Sequence, residues 1–99
     1  MKVVWTETAQ AHLDAIYAYI AQYSPQYALR MVDCLTRRSQ QVADVPYSGR
    51  RVPEYDLDQI REMIEGAYRI IYYIKPDQID VLAVIHGARN VLRDSREDD

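Results

Sequence analysis

The most constraining feature of the sequence is a series of three strand-like segments joined by very short connections. The segments span residues 59–65, 67–75 and 78–86, are rich in Ile, Val and Tyr, and are separated by Gly66 and by Pro76-Asp77. Consecutive strands connected by so few residues can pair only in the antiparallel sense. The sequence therefore predicts an antiparallel three-strand meander in the second half of the chain.

The first half of the chain predicts a short strand followed by two helices. A β-branched and aromatic run, Lys2–Trp5, precedes Thr6, which is a favoured residue at a helix N-terminus. Apolar residues then recur every three or four positions to about Tyr23, where Ser24-Pro25 starts a second helix that Pro46 ends. The predicted core-facing stripes are Ala9, Leu13, Ile16, Tyr17 and Ile20 in the first helix, and Ala28, Met31, Val32, Leu35 and Val42 in the second.

Size and segment order together indicate one α+β domain. A chain of 99 residues is close to the commonest size of a single domain. Because the two helices are separated by only a residue or two, they are expected to form an antiparallel hairpin that packs on a mainly antiparallel sheet. We assign residues 1–92 to this domain and expect the charged tail, residues 93–99, to be disordered.

The composition of the chain indicates its cellular compartment and which kinds of site it can carry. The sequence has no apolar run typical of a signal peptide or long enough to cross a bilayer, so we expect a cytoplasmic protein with no membrane partner. Cys34 is the single cysteine, which fits a reducing compartment. The two histidines and this cysteine lack zinc-site spacing, and the three glycines are isolated, so we expect neither a metal nor another cofactor.

Side-chain alternation along the last two strands predicts two different sheet faces. Tyr68, Ile70 and Tyr72 fall on one face together with Ile74, and this face is expected to pack against the helices. In the last strand, the same regular alternation places Leu82 on the opposite face, which carries no helix.

Regular pairing outward from the turn places Ile71 opposite Leu82 and Arg69 opposite Val84, with His86 diagonal to Arg69. The helix-free face is then expected to carry an exposed apolar strip surrounded by polar side chains. The strip comprises Ile71, Leu82 and Val84, and its rim comprises Arg61, Arg69, Tyr73 and His86. Exposed apolar area of this kind usually indicates a surface that a partner covers.

Four segments, in the order in which they occur, carry a family resemblance: VVWTETAQAHLDAIYAYI, SGRRVPEY, YRIIYYI and VLAVIHGARNV. The chain resembles the RelE/ParE superfamily of toxins from type II toxin-antitoxin pairs over about residues 2–92, and the ending His86-Gly87-Ala88-Arg89 is similar to the ParE branch. The resemblance implies the RelE/ParE-like fold. It also implies a cognate antitoxin, a disordered segment of which folds into the groove between hairpin and sheet.

The resemblance to the ParE branch implies a toxin that traps DNA gyrase on cleaved DNA by binding, with no catalytic residues assigned. The predicted target- or partner-binding residues are Arg61, Ile71, Tyr73, Leu82, Val84 and Arg89. A net charge of −3 does not by itself favour nucleic acid as the partner.

An alternative within the same superfamily is a ribosome-dependent endoribonuclease that cuts messenger RNA. By resemblance to nucleases of the YoeB kind, Glu54 corresponds to the general base, Arg69 to the phosphate clamp and His86 to the histidine near the end of the last strand. Gly87 departs from that pattern, because those nucleases carry an aromatic residue there.

Structural roles for the same residues also remain open. Glu54 is a loop carboxylate close in sequence to Arg50 and Arg51, and Arg69 is placed to pair with Glu62. A third interpretation is an inactive interaction module that binds an antitoxin or forms a homodimer.

Overall fold

The computed structural model describes residues 1–87, in which five strands form one sheet and two helices cover one of its faces. The strand order is β1-β5-β4-β3-β2, with β1 parallel to β5 and the other neighbours antiparallel. The elements are β1 Lys2–Trp5, α1 Glu7–Ala21, α2 Pro25–Gln41, a 3₁₀ turn Pro46–Ser48, β2 Arg50–Arg51, β3 Ile60–Glu65, β4 Tyr68–Ile74 and β5 Gln78–His86. The predicted α+β fold with its C-terminal meander is confirmed. The expectation of a disordered tail at 93–99 concerns residues outside the described part.

Both helices begin at the predicted caps. The Thr6 hydroxyl oxygen accepts a hydrogen bond from the Ala9 amide at 3.1 Å, and the hydroxyl donates to the Val81 carbonyl at 2.9 Å, which ties the start of α1 to β5. The Ser24 hydroxyl accepts from the Tyr27 amide at 3.1 Å. The helices end at Ala21 and Gln41, earlier than Tyr23 and Pro46 suggested.

The main core lies between the hairpin and the sheet. The predicted orientation of Ile70 and Tyr72 toward the helices is confirmed, since both are fully buried there, and Tyr68 packs at the edge of the same cluster. Tyr17 departs from the predicted stripe because it is exposed. The buried members of the core are Ala9, Leu13, Leu35, Val42, Met63, Ile70, Tyr72, Ile74, Ile79, Val81 and Val84.

A β-bulge at Leu82 overturns part of the predicted strand register. The pairing of β4 with β5 follows the prediction from the turn as far as Tyr72, which pairs with Val81. The next residue of β4, Ile71, pairs with Ala83, so Leu82 is an extra residue in β5. One extra residue reverses the alternation of every side chain that follows it. The predicted pairings of Ile71 with Leu82 and of Arg69 with Val84 are therefore wrong.

The bulge changes the face on which the end of β5 presents its side chains. Val84 belongs to the core under the helices, whereas Ala83 and Ile85 contact the cluster on the opposite face. His86 pairs with Tyr68 and lies on the helix side of the sheet. The expectation that His86 and Arg69 share one face is also wrong.

The helix-free face is covered by the chain's own loop. Val52 and Tyr55, from the connection between β2 and β3, pack with Ile60 and Ile71 in a second apolar cluster, in which Ile71 is only 1% exposed. The short strand β2, which the sequence did not predict, holds this connection against β3. The predicted exposed apolar strip is therefore wrong, because intramolecular packing covers most of it.

Tyr72 fixes the start of that connection. Its hydroxyl donates to the Pro46 carbonyl at 2.7 Å and accepts from the Gly49 amide at 3.2 Å. A Cβ at Gly49 would lie 2.3 Å from this hydroxyl oxygen and 2.7 Å from the Glu62 carbonyl, so only glycine fits there. The loop conformation thus depends on a side chain at the centre of the sheet.

We predict that Tyr72→Phe lowers the free energy of unfolding by about 1–3 kcal/mol, because it leaves a carbonyl and an amide without their buried partner. Tyr73→Phe is the matched control: the neighbouring tyrosine is 38% exposed, and its loss of a hydroxyl should change stability by less than about 0.5 kcal/mol. Urea denaturation followed by circular dichroism measures both. Equal effects of the two substitutions would contradict the anchoring role of Tyr72.

Candidate functional site

Four charged side chains on the helix-free face form a continuous chain of ion pairs. The Arg69 Nε donates to Glu62 Oε1 at 2.6 Å, and its two terminal nitrogens donate to Glu54 Oε1 and Oε2 at 2.9 Å each. Arg50 donates to the second Glu62 oxygen. The side chains of Arg69, Glu62 and Glu54 are only 5%, 0% and 6% exposed. We refer to Arg50, Glu54, Glu62 and Arg69 as the charged network.

Three strands and a loop contribute to the charged network. Glu62 on β3 lies opposite Arg50 on β2 and diagonal to Arg69 on β4, since Ile64 is the direct partner of Arg69. Glu54 comes from the loop that covers the apolar cluster. Two guanidinium groups balance two carboxylates, so the charges compensate each other.

Hydrogen bonding within the network also stabilises the charged form of Arg69. The bond to Glu54 is the largest influence and raises the pKa of Arg69; burial opposes it, and Glu62 adds to the increase. Arg69 therefore stays cationic while it is buried. Its bidentate contact with Glu54 holds the loop on the sheet, as a clamp between β4 and the β2–β3 connection.

The structure brings together two of the three candidate nuclease residues. Glu54 and Arg69 are in direct contact, but His86 lies on the other side of the sheet, where its ring is 6.1 Å from the ring of Tyr68. Both Glu54 oxygens accept from Arg69, and the Arg69 side chain presents almost no surface to a phosphate. The predicted pairing of Arg69 with Glu62 is present.

The residues expected to contact a target differ widely in exposure. Tyr73 is 38% exposed, Leu82 is half-buried, and Ile71 and Val84 are buried. Any part that Ile71 or Val84 plays in binding is therefore indirect. Arg89 lies outside the described residues.

Arg61 has a structural position on the helix side of the sheet, opposite Tyr72. It donates to the carbonyl of Asp58 at 2.8 Å and to that of Gly49 at 3.1 Å, and it pairs with the Asp58 carboxylate at 2.6 Å. Its guanidinium carbon lies 5.0 Å from the ring centroid of Tyr47. The predicted place of Arg61 on the rim of the helix-free face is wrong.

An open groove with a volume of 370 Å³ lies between α1 and the end of β5. His12 is held in place there because its Nδ1 accepts from the Val84 amide at 3.2 Å. Burial raises the pKa of the Tyr68 phenol, and the nearby phenols of Tyr27 and Tyr19 add to the effect. We call this feature the hairpin groove; its lining residues are His12, Ala15, Ile16, Tyr19, Tyr68, Val84, Ile85 and His86.

The residues that line the hairpin groove were not predicted from the sequence. The predicted alternation placed His86 on the opposite face, and His12 was given no role. His12 lies one turn before Ile16, so the sequence could have predicted that both side chains lie on the same side of α1. The bulge that turns His86 toward this side of the sheet could not be predicted, because no residue type marks it.

Other kinds of site find no support in the part of the chain that the structure describes. Within residues 1–87, no three His, Cys, Asp or Glu side chains lie close enough to hold a metal ion. The helices of the same range are too short or too polar to cross a membrane.

We predict that Arg69→Ala destabilises the fold by about 3–5 kcal/mol, because Glu54 and Glu62 would remain buried without a shared cation. Arg51→Ala removes an exposed ion pair with Asp56 and should cost about 0–1 kcal/mol. Urea unfolding monitored by tryptophan fluorescence distinguishes the two variants. Similar midpoints for both would contradict a structural role for the charged network.

Comparisons with known proteins agree with this architecture. The family model for the ParE toxin of the type II toxin-antitoxin system parDE matches residues 3–91. Toxin RelE2 of Caulobacter vibrioides is 35% identical over 89 residues, which is 89% of this chain and 97% of the relative.

Two solved structures are similar in fold. The chromosomal ParDE toxin-antitoxin system of P. aeruginosa matches with a TM-score of 0.72 and 26% identity, over 87% of this chain and 95% of that one. The toxin-antitoxin complex RelBE2 of Mycobacterium tuberculosis matches with a TM-score of 0.54 and 20% identity, over 86% and 95%, and supports the fold alone. This chain belongs to the ParE toxin family of type II toxin-antitoxin systems, within the RelE/ParE superfamily.

Proposed function

We propose that this toxin inhibits DNA gyrase by binding to it, without catalysis of its own, and that a cognate antitoxin neutralises it. The observation that carries this proposal is the charged network, in which the two candidate catalytic groups Glu54 and Arg69 satisfy each other. The family match over residues 3–91 to the ParE toxin supports it independently.

Cleavage of RNA through its 2′-hydroxyl requires a base, a cation at the phosphate and an acid, all within reach of one phosphodiester. Both oxygens of Glu54 accept hydrogen bonds from Arg69, so neither is directed at a substrate hydroxyl. The sheet separates these groups from His86. Assembly of a nuclease site from the three residues would require the loop to leave the sheet, whereas a toxin that acts by binding needs no such change.

Tyr73 is the best-placed of the proposed target contacts. It lies on the helix-free face opposite Ile60 and keeps more than a third of its surface exposed. Aromatic residues with an apolar body and a polar end are frequent hot spots of protein interfaces. Leu82, half-buried at the bulge, and Arg89 remain proposed contacts of the same target.

The antitoxin is proposed to occupy the hairpin groove. A segment that folds only on contact can cover a broad, shallow surface, and Ala15 and Ile16 of α1 give the groove an apolar wall. One similar structure is the chromosomal ParDE toxin-antitoxin system of P. aeruginosa, which supports an antitoxin as the partner. No role for a metal or cofactor is proposed.

We predict that the purified toxin inhibits supercoiling by gyrase and accumulates cleaved DNA, while primer extension on messenger RNA from arrested cells reveals no new codon-positioned cuts. Tyr73→Ala should weaken gyrase inhibition by roughly 10-fold or more, the loss expected when an aromatic contact residue is truncated. Tyr73→Phe keeps the ring and is the matched control. If Tyr73→Ala inhibits gyrase as strongly as the wild-type toxin, Tyr73 does not contact gyrase.

The runner-up is a ribosome-dependent endoribonuclease that uses Glu54, Arg69 and His86. The similarity to a toxin named RelE2 favours this hypothesis. Glu54→Gln and His86→Gln test it, because both are expected to fold, whereas Arg69→Ala is confounded by instability. Codon-positioned cuts that disappear in both variants would replace the gyrase proposal. The absence of both activities would favour an interaction module, alone or as a homodimer.

A further inference from the structure

We propose that the uncovered edge of β3 at Ile64 binds an extended acidic segment of a partner protein, which adds a short strand to the sheet. The site is an open cleft with a volume of 460 Å³. Arg38 of α2, Ser48 of the 3₁₀ turn, Arg50 of β2 and Ile64 of β3 line this cleft, which we call the edge cleft. The inference goes beyond the proposed function, because it involves neither the hairpin groove nor the contact of Tyr73 with gyrase.

The backbone of Ile64 points away from β4, toward the side of β3 that faces β2. On that side, the Ile60 carbonyl accepts from the Val52 amide at 3.5 Å. Backbone groups of alternate residues in a strand point the same way, so the N–H and C=O of Ile64 are directed to this side as well. β2 begins at Arg50, opposite Glu62, and the chain before it leaves the sheet in the 3₁₀ turn. Within residues 1–87, no strand therefore pairs with Ile64 on this side.

The side chain of Ile64 is exposed at the same place. It keeps 46% of its surface exposed, whereas Ile60 and Met63 of the same strand are buried. An unpaired backbone donor and acceptor beside an exposed apolar side chain form a template for a further strand. Because β2 blocks one end and β3 stops at Glu65, the added segment pairs over about two or three residues, or roughly 7–10 Å.

Two arginines give the edge cleft its preference for acidic side chains. The Arg50 side chain is 63% exposed and uses Nε for Glu62, and the Arg38 side chain is 38% exposed and uses one terminal nitrogen for Gln41. A guanidinium carries five N–H donors, so each arginine has donors left for a carboxylate of the partner. Glu62, the acidic residue that lines the cleft, is fully buried, and both its oxygens already accept from arginines.

The edge of β3 distinguishes a polypeptide from a nucleic acid as the occupant. Ile64 offers an N–H donor and a C=O acceptor side by side, and the backbone of an extended peptide has the complementary pair of groups. A phosphate provides acceptors only, so it leaves the Ile64 carbonyl without a donor. Binding to a nucleic-acid backbone also relies on several cations, whereas two arginines line the edge cleft among the described residues.

The first test measures binding of peptides to the full-length toxin by fluorescence anisotropy. The probe is a fluorescein-labelled pentapeptide of alternating valine and glutamate with an amidated C-terminus, and the control peptide carries lysine in place of glutamate. We expect the acidic peptide to bind at least about 10-fold more tightly than the control. An added strand uses the N–H groups of alternate residues, so N-methylation of one alternate set of amides should abolish binding, while methylation of the other set should preserve it.

The second test changes the edge cleft itself. Arg38→Gln should weaken binding of the acidic peptide by roughly 5-fold, as expected for one lost hydrogen bond to a charged group. Arg37→Gln is the matched control, because Arg37 is 71% exposed, pairs with Asp33 and does not line the cleft. Ile64→Pro removes the edge N–H and should abolish binding, whereas Ile64→Ala keeps this donor. The methylated peptides leave the toxin intact and keep the inference testable if Ile64→Pro fails to fold.

Four results would overturn the inference. The first is no binding of the acidic peptide at about 1 mM, the weak end of measurable affinity. The second is equal binding of the lysine peptide, and the third is equal loss of binding on methylation of either set of amides. The fourth is binding of a fluorescein-labelled single-stranded DNA that is weakened by Arg38→Gln and unaffected by Arg37→Gln, since this would assign the edge cleft to nucleic acid. Gyrase inhibition by the wild-type toxin is measured separately, so each of these results leaves the proposed function standing.

Discussion

The buried contact of Arg69 with Glu54 and Glu62 determines how the two faces of the sheet are used. A cation that is almost fully buried destabilises a fold unless anions pair with it. Here Glu62 on β3 and Glu54 in the loop provide the negative charge. Because Glu54 belongs to the loop, pairing its carboxylate with Arg69 also brings Val52 and Tyr55 onto the apolar cluster. The helix-free face is thereby closed by the chain itself.

The loop that covers this face illustrates why the fold, which two kinds of toxin share, does not by itself define the activity. The same positions that resemble a base and a phosphate clamp serve here as a structural ion pair, which consumes the donors and acceptors that catalysis would need. Function depends on the site and not on the scaffold. The charged network and a catalytic use of Glu54 and Arg69 are alternatives that compete for the same atoms.

Local features of the sequence predicted most of the fold. Thr6 and Ser24 mark helix starts because their side chains bond amides only a few residues away, and the tight turns at Gly66 and Pro76 permit only antiparallel pairing. The Arg69–Glu62 pair was also accessible, since neighbouring strands place both side chains on one face. The contact of Arg69 with Glu54 was not, because a long irregular connection does not reveal where its side chains return to the sheet.

The bulge at Leu82 is the main reason why the site could not be derived from alternation. Neither glycine nor proline marks it, and Leu82, Ala83 and Val84 are ordinary strand residues. Its effect is nevertheless large, because the same extra residue that separates His86 from Glu54 and Arg69 brings it beside Tyr68 in the hairpin groove. A single local irregularity thus removes a histidine from the face of the charged network and places it in the groove on the opposite face.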